Sequence, residues 1–354
     1  MQQPPQMAHS PRAGGSSSAE APLAPPPRTW LVDHGASLAS AVPPFTVLSW
    51  NVLMDAPHHD FQYLSAEHGA WAHRGPLVCR ELLAHAPDAA GLQEVSRLDT
   101  LSAEFSASHY VLFAPKLVSA TSPGDGCALL LSRARFELKD VQVLYLAAAE
   151  QEGYEPALGN QNCIIATARD VLAQRWVVLA VTHLKASQTP AAERERLCQV
   201  EQLAAALRGA RVRAEEASGA GAGSVPAVLV GDFNTYPGHR PYYDLLTLAP
   251  ELASAYNGLE RAACDSIARY AAGEPLFTTY KFRGGVEKRE TEDYIFYSER
   301  RGLRRRALLR LPSVAELGEG RGMPSRVYPS DHVLLGAQFC WEEGGHEGGG
   351  GEHA

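Results

Sequence analysis

Eight polar residues lie where apolar, strand-like runs of this sequence end or begin, and their side chains are of the types that perform acid, base and metal chemistry. Five of them follow a run and three open or precede one. The eight are Asn51, Glu94, His183, Asp232, Asn234, Asp293, Asp331 and His332. Apolar strands that repeatedly end in polar residues place these groups on one rim of a rigid scaffold, where binding and catalytic sites are commonly built.

Hydrolysis of a phosphodiester needs a hard cation on oxygen ligands, a positioned water with a base, and donors that stabilise charge on the phosphoryl oxygens. Glu94, with Asn51 beside it, offers an oxygen site suited to Mg²⁺, for which Mn²⁺ can substitute. Asp232 can orient or deprotonate the water, and Asn234 can hold a non-bridging oxygen. The set therefore contains a candidate for each of these roles.

Histidines supply the remaining donors. His183 and His332 can donate to the phosphate, and a carboxylate such as Asp293 would fix the tautomer of a neighbouring imidazole and raise its basicity. Structural interpretations exist for single residues, because Asx side chains form turns after strands and a histidine can be satisfied in a core. Glu94 is harder to explain in that way, since a nearly buried carboxylate needs a cation or hydrogen-bond donors.

Short apolar runs predict strands, several of them buried on both faces, at 46–50, 89–92, 128–131, 163–167, 176–182, 225–230, 293–297 and 333–339. Apolar residues at helical spacing predict helices over 75–86 and 193–213, and a third helix follows Pro241. Many strands with few helices indicate an α/β fold in which two sheets pack together with helices outside them.

Five separated motifs resemble the endonuclease/exonuclease/phosphatase superfamily in order and approximate spacing. They are Asn51, Glu94, Thr-His-Leu-Lys-Ala at 182–186, Gly-Asp-Phe-Asn at 231–234 and Ser-Asp-His at 330–332. The resemblance covers roughly 44–341 and implies a DNase-I-like four-layer sandwich of two mostly antiparallel sheets with helices outside. It implies that Glu94 carries the metal, that Asn51, Asp232, Asn234 and Asp331 complete its shell and the water site, and that His332, paired with Asp293, acts on the phosphate.

Secondary motifs resemble the carbon-catabolite-repressor deadenylases and nocturnin. They are Asp-Gly-Cys-Ala at 125–128, Phe-Thr-Thr-Tyr-Lys at 277–281, Asp-Tyr-Ile at 293–295 and Pro-Ser-Asp-His at 329–332. The resemblance implies that His183 and Lys185 face the phosphate, and we expect Asn162, Lys281 and Tyr280 to bind substrate. Tyr280 replaces the tryptophan of that branch, Ser187 stands where nocturnin has an arginine, and the stretch 259–273 is longer than in that branch.

The expected activity is that of a magnesium-dependent 3′–5′ exoribonuclease of the poly(A)-deadenylase type. One alternative is a nocturnin-like 2′-phosphatase acting on NADP(H), and an alternative of another class is a catalytically inactive RNA-binding module. Partners are RNA 3′ ends or a nucleotide. No leucine-rich repeat precedes the domain, so docking through such a repeat is not expected, and we expect a monomer.

Composition sets the remaining expectations. The chain has 354 residues, 45% of them apolar, enough for one large domain over 44–341. We expect disorder in the Pro-, Ser- and Ala-rich segment 1–43 and in the Gly/Glu-rich tail 342–354. Six widely spaced cysteines without a metal or redox spacing indicate reduced core thiols, and no apolar run is long enough to span a membrane. We expect a cytoplasmic protein, with mitochondria or the nucleus as alternatives.

The net charge of −8 argues against holding long nucleic acid by bulk electrostatics. A local exception is the arginine cluster, defined here as Arg300, Arg301, Arg304, Arg305, Arg306 and Arg310. It is interpreted either as a solvated basic turn and strand edge or as a track for an RNA backbone that leads to the site.

Overall fold

The computed structural model describes residues 27–33, 42–55, 61, 63–116, 124–147, 158–258, 273–299, 301–317 and 322–342. Its strands are β1 Trp30–Val32, β2 Phe45–Asn51, β3 Ala89–Gln93, β4 His109–Pro115, β5 Gly126–Ser132, β6 Phe136–Ala147, β7 Leu158–Asp170, β8 Arg175–His183, β9 Ala227–Asp232, β10 Leu252–Ser254, β11 Thr279–Arg283, β12 Val286–Glu290, β13 Asp293–Ser298, β14 Leu303–Leu309 and β15 Leu335–Trp341. Its helices are α1 Ala66–Gly69, α2 Trp71–Ala84, α3 Leu98–Phe105, α4 Pro190–Ser218 and α5 Arg240–Leu248, with a 3₁₀ turn at Val314–Leu317.

Two large sheets form the centre of the fold. One has seven strands in the order β1-β14-β15-β2-β3-β5-β4, and the other has six in the order β10-β13-β9-β8-β7-β6. Each sheet contains one parallel pair, β2 with β3 and β8 with β9, and all other neighbours are antiparallel. The expectation of an α/β sandwich of two mostly antiparallel sheets is confirmed.

The two sheets pack face to face over a shared apolar core. At Gly91 of β3 the two sheets are in close contact, because a Cβ at this position would overlap the methyl groups of Val230 and Val181 from the other sheet. On the outer face of the six-stranded sheet, α4 and α5 cover a second apolar cluster that includes Val200, Leu203 and Leu245. Apolar residues therefore cover both faces of the six-stranded sheet.

The long helix α4 begins and ends where local chemistry favours it. Thr189 caps its N-terminus by accepting a hydrogen bond from the backbone N–H of Ala192, and Pro190 occupies the first turn. Gly219 ends it with a left-handed φ of 68°. The helix is longer at both ends than the predicted 193–213. No described helix is both long enough and apolar enough to cross a lipid bilayer.

The N-terminal segment differs in part from the expectation of disorder over 1–43. Residues 30–32 form β1, which pairs antiparallel with β14 at the edge of the seven-stranded sheet. Arg28 donates hydrogen bonds to the carbonyls of Arg310 and Leu334, so the segment is fixed by backbone pairing and by a buried guanidinium. Strand pairing satisfies backbone groups that composition alone does not reveal. Residues 1–26, 34–41 and 343–354 lie outside the described part of the chain.

The cysteines that the structure describes carry free thiols. Cys79, Cys127 and Cys163 are buried, and Cys198 and Cys340 are partly exposed. Burial raises the pKa of Cys127 to about 12, which keeps its thiol protonated and unreactive at neutral pH. Cys264 lies outside the described residues.

Candidate active site

The two parallel strand pairs explain why distant polar residues meet. Asn51 and Gln93 are register partners at the carboxyl end of the β2–β3 pair, and Glu94 follows directly. His183 and Asp232 are register partners at the carboxyl end of the β8–β9 pair in the other sheet. Because carboxyl ends of parallel strands lie at one edge of a sheet, each pair presents its polar residues at the same rim of the sandwich.

Antiparallel neighbours bring the remaining residues to this rim at their amino ends. Asp293 opens β13 and is the register partner of Asp232. His332 lies three residues before β15, and its carbonyl accepts a hydrogen bond of 2.8 Å from the indole nitrogen of Trp50. Ser330 donates to the carbonyl of Asn51 and accepts from the N–H of His332, which joins the two loops.

Asp232 occupies the centre of the site. One of its carboxylate oxygens, Oδ2, lies 3.6 Å from His183 Nε2 and 3.7 Å from His332 Nε2. The same oxygen accepts a 3.0 Å hydrogen bond from the amide nitrogen of Asn51. Burial and the neighbouring charge of Asp293 raise the pKa of Asp232 to about 7, the range suited to a group that exchanges protons at neutral pH.

Asn51 links this centre to Glu94. Its amide nitrogen also donates a 3.0 Å hydrogen bond to Glu94 Oε1, while its amide oxygen accepts from the N–H of Leu53. Asn51 therefore presents its nitrogen to both carboxylates. In this arrangement it orients Glu94 and Asp232, while its amide oxygen serves the turn after β2 as a backbone acceptor. The expected place of Asn51 in the metal shell stays a prediction.

Glu94 is a partly exposed carboxylate at the end of β3, and its second oxygen accepts from the N–H of Met54. Burial opposes its ionisation, but attraction to His183 and the hydrogen bond from Asn51 outweigh this effect and lower the pKa of Glu94 to about 2. Burial and the nearby charge of Lys116 lower the pKa of His183 to about 3. At neutral pH the pair consists of an ionised carboxylate and a neutral imidazole.

His332 forms a dyad with Asp293. Its Nδ1 lies 2.9 Å from Asp293 Oδ2, and the same oxygen accepts a 2.6 Å hydrogen bond from the hydroxyl of Thr278. Burial works against a charged imidazole, but the carboxylate of Asp293 prevails and raises the pKa of His332 to about 10. The imidazole is therefore cationic at neutral pH, with Nε2 directed toward Asp232.

A chain of charges on the hairpin β11–β12 reaches the same rim. Lys281 Nζ lies 3.3 Å from Glu292 Oε2 and 3.9 Å from Asp331 Oδ2. Arg283 Nη2 lies 3.1 Å from the same oxygen of Asp331. Although burial acts in the opposite direction, Glu292 and Asp331 raise the pKa of Lys281, so the ammonium stays charged. Asp331 is thus joined to these cations by one oxygen, while Oδ1 lies 3.9 Å from His332 Nε2.

Donor atoms at the rim fit a hard divalent cation. Carboxylates of Glu94 and Asp232 converge on one amide, and in the described part of the chain the buried oxygens Asp293 Oδ1 and Asp331 Oδ1 have no hydrogen-bond partner. Such oxygen-rich sets suit Mg²⁺ or Mn²⁺. Ligand atoms of Asp232, Asp293 and His332 also lie within 4.8 Å of one another. His332 and Asp293 of that trio are already hydrogen-bonded to each other. The partly exposed carboxylate of Glu94 is therefore more accessible to a cation than the carboxylate of Asp293.

Strained backbone surrounds these groups. Leu53, Glu94, Ser187 and Asn234 have left-handed φ values of 58°, 55°, 86° and 48°. Side chains with a Cβ seldom adopt this region, and such residues persist where surrounding structure holds them. At Asn234 the strain accompanies an Asx turn, because its N–H donates to Asp232 Oδ1 and its amide donates to the carbonyl of Leu184.

Arg74 holds two of the site loops together, a role that no motif in the sequence indicated. This side chain is 0% exposed and donates hydrogen bonds to the carbonyls of Val52, Leu53 and Met54, which follow Asn51. It also donates to the carbonyl of Pro329, directly before Ser330. One guanidinium thereby fixes the loop that contacts Glu94 relative to the loop that carries His332.

Three predicted substrate-binding residues lie away from the centre or inside the core. Lys185 is exposed and its ammonium lies 3.7 Å from Glu195 of α4. Tyr280 is 5% exposed and packs against Phe277, so its ring presents little open surface to a base. Asn162 is buried in β7 and donates to the carbonyl of Ala114, with its amide oxygen lacking a partner among the described residues.

Sequence reasoning missed several charged neighbours of the site. Lys116 forms a 2.6 Å ion pair with Asp125, the first residue of the Asp-Gly-Cys-Ala motif at 125–128. Glu292 stands among the polar residues at the strand ends but received no role. Arg283 was missed, although it lies two residues after Lys281 on one strand and therefore on the same face. This spacing could have predicted the place of Arg283 from the sequence. The place of Lys116 could not be predicted in this way, because it depends on the pairing of β4 with β5.

The register of β14 with β15 places part of the arginine cluster away from this rim. Arg304 and Arg305 are register partners of Cys340 and Phe339, at the end of β15 opposite the site. The described guanidiniums also have protein partners, among them Glu342 for Arg304, Asp33 for Arg305 and Glu316 for Arg310. This position favours the interpretation as a basic strand edge for Arg304 and Arg305. The RNA track stays a prediction, and Arg300 lies outside the described residues.

Comparisons with known proteins agree with this architecture. The Endonuclease/Exonuclease/phosphatase family profile matches residues 48–332. The chain is 33% identical to Nocturnin of Xenopus laevis over 310 residues, which is 84% of this chain and 73% of that protein. It is 25% identical to the CCR4-Not complex 3′-5′-exoribonuclease subunit Ccr4 of Aspergillus niger over 377 residues, covering 90% of this chain and 55% of that protein.

A solved structure gives the same result in three dimensions. The human Nocturnin catalytic domain with a bound sulfate anion superposes with a TM-score of 0.68 at 28% identity, covering 90% of this chain and 99% of that one. The family profile spans most of the chain, and the site residues lie inside it. The chain belongs to the endonuclease/exonuclease/phosphatase family and is a metal-dependent hydrolytic phosphodiesterase.

Proposed function

We propose that this enzyme is a magnesium-dependent 3′–5′ exoribonuclease that removes adenylate from RNA 3′ ends, with Mn²⁺ able to replace Mg²⁺. The observation that carries the hydrolytic part is the placement of Asp232 between the imidazoles of His183 and His332, with Asn51 linking it to Glu94. This arrangement supplies a base for water and donors for phosphoryl oxygens at one point.

Each residue receives a role from its contacts. Glu94 and the unpartnered oxygen of Asp331 would hold the metal, which when bound polarises the phosphoryl group and neutralises its charge. Asp232 orients and deprotonates the attacking water. Asn234 uses one amide N–H on the carbonyl of Leu184, and its second N–H is assigned to a non-bridging oxygen.

The dyad supplies the positive donor. Asp293 holds His332 by Nδ1, so Nε2 is the nitrogen that faces the reacting phosphate. A cationic imidazole donates to a phosphoryl oxygen whose negative charge increases in the transition state. His183, which is neutral, adds a second donor through whichever nitrogen carries its proton.

Support for RNA as the substrate comes from two features. The relative named as a 3′-5′-exoribonuclease subunit aligns over 90% of this chain. Ser187 also replaces the arginine that the resemblance to nocturnin implies there, which removes a cation suited to a terminal phosphate.

A second candidate is removal of the 2′-phosphate of NADP(H). It is favoured by the higher identity to Nocturnin, 33% against 25% for the exoribonuclease subunit. Lys116, Lys281 and Arg283 also lie among the acidic residues of the rim and could meet a small, highly charged ligand. A catalytically inactive RNA-binding module is not proposed, because every predicted catalytic residue is present and the dyad is formed.

Product analysis distinguishes the two candidates. Purified protein is incubated with Mg²⁺ and either oligoadenylate, an RNA of mixed sequence or NADPH, and the products are resolved by chromatography. We expect release of AMP from oligoadenylate to exceed release from the mixed RNA and release of phosphate from NADPH. Faster phosphate release from NADPH than AMP release from oligoadenylate would replace the first candidate with the second.

A further inference from the structure

Glu292 is a buried acid beside the dyad that the proposed chemistry does not use. It directly precedes Asp293, is 3% exposed, and lies in the loop between β12 and β13. An ionised side chain is costly to bury unless charges and hydrogen bonds compensate. Its contacts therefore indicate what it does at this rim.

Both carboxylate oxygens of Glu292 are held in place. Oε2 lies 3.3 Å from the ammonium of Lys281, and Oε1 accepts a 3.1 Å hydrogen bond from the amide of Gln188. The same Gln188 nitrogen donates to the carbonyl of Asn234, the residue assigned to a phosphoryl oxygen. Glu292 is thus fixed between the cation of the hairpin and the loop that binds the phosphate.

This placement changes the charge that a substrate meets. Lys281 is paired with Glu292 and Asp331, and Arg283 is paired with Asp331. The two hairpin cations at the rim are therefore offset by two fixed carboxylates, and Glu94, Asp232 and Asp293 add further acidic groups nearby. Coulomb repulsion scales with the charge of the ligand, so a dianionic phosphate monoester is opposed about twice as strongly as a monoanionic diester.

We propose that Glu292 is a specificity-determining residue that favours phosphodiesters over terminal phosphate monoesters by offsetting Lys281. The inference rests on the proposed function, since RNA linkages are diesters and the 2′-phosphate of NADP(H) is a monoester. Substituting Glu292 with glutamine keeps the shape and one acceptor for Lys281 but removes the negative charge. The released ammonium then attracts the dianion more than the monoanion.

The test compares catalytic efficiency on oligoadenylate and on NADPH for the wild type, Glu292→Gln and a matched control, Glu287→Gln. Glu287 is an exposed acid of the same hairpin that pairs with Arg289, so its substitution changes the net charge equally but away from Lys281. We expect Glu292→Gln to raise the NADPH-to-oligoadenylate ratio by about tenfold, the value of one charge-assisted contact. The control should leave the ratio within about twofold.

A second variant provides the test if Glu292→Gln does not fold, which a thermal unfolding measurement detects. Gln188 is exposed, so Gln188→Met is expected to fold, and it removes the hydrogen bond that holds Glu292 Oε1 in place. Its ratio should shift in the same direction by a smaller factor. An unchanged ratio in the folded variants, or a shift toward oligoadenylate, would overturn the inference. The order of the two wild-type rates tests the proposed function separately, so either idea can fail while the other stands.

Discussion

Replacing Asp293 with asparagine tests the dyad with little change in shape. The substitution keeps an oxygen that can accept from His332 Nδ1 but removes the negative charge that now lies 2.9 Å from this nitrogen. Asp293 Oδ2 also accepts from Thr278, so the side chain is held on two sides and should remain in place. The change therefore acts on the charge of the imidazole and leaves its position intact.

The magnitude follows from the contact that is weakened. A hydrogen bond to a charged group contributes about 1.5–3 kcal/mol, which corresponds to a decrease in rate of about 10- to 150-fold. Because His332 is assigned to the transition state and not to ground-state binding, kcat should decrease by this factor while KM stays within about threefold.

Steady-state AMP release from oligoadenylate at saturating Mg²⁺ measures both constants. Asp99→Asn serves as the control, since Asp99 is an exposed acid of α3 whose partner is Arg97. An Asp293→Asn enzyme with wild-type kcat, or one altered only in KM, would refute the assigned role of the dyad.

Three further predictions concern how the scaffold holds the site. Arg74→Met leaves several buried carbonyls without a donor, so we expect a loss of on the order of 3–5 kcal/mol in urea denaturation, together with reduced kcat; unchanged values in both measurements would contradict the role of Arg74 as a link between loops. Gly91→Ala places a methyl group against Val230 and should lower the free energy of unfolding by about 1–3 kcal/mol in thermal unfolding. An unchanged stability would mean that the two sheets can move apart enough to accommodate the methyl group. Hydrogen bonds from Arg310 lower the pKa of Glu316 to about 2, so its contribution to stability is present above its ordinary pKa and is lost as the pH decreases toward 2; Glu316→Gln should therefore reduce the difference in Tm between neutral and acidic pH, and an unchanged difference would exclude this contribution.

Much of this architecture follows from local sequence signals. Buried strands such as β2 and β9 are short apolar runs, and α4 shows helical spacing over most of its length, so composition and period suffice for them. Polar residues at strand ends likewise identified Asn51, Glu94 and Asp232 as a set. Edge strands such as β6 were missed because their exposed faces lack an apolar run.

Pairing between distant segments is what the sequence could not provide. The meeting of Asp232 with Asp293 depends on the β9–β13 register across 61 residues, and no local pattern encodes it. The burial of individual side chains was equally hard to predict from the sequence, since an aromatic motif residue such as Tyr280 can serve as a core side chain or as a stacking surface. Lys185 shows the same limit, because its partner Glu195 belongs to a helix whose packing decides the direction of the side chain.

The most direct test of the central claim is the metal dependence of turnover in Glu94→Ala. Glu94 lies at the rim, partly exposed, so its removal should leave folding intact while removing the main metal carboxylate. Wild-type enzyme should release product only with a divalent cation, and the variant should lose about 10²- to 10³-fold in kcat at saturating Mg²⁺. A folded Glu94→Ala protein that turns over at the wild-type rate in EDTA would contradict the account.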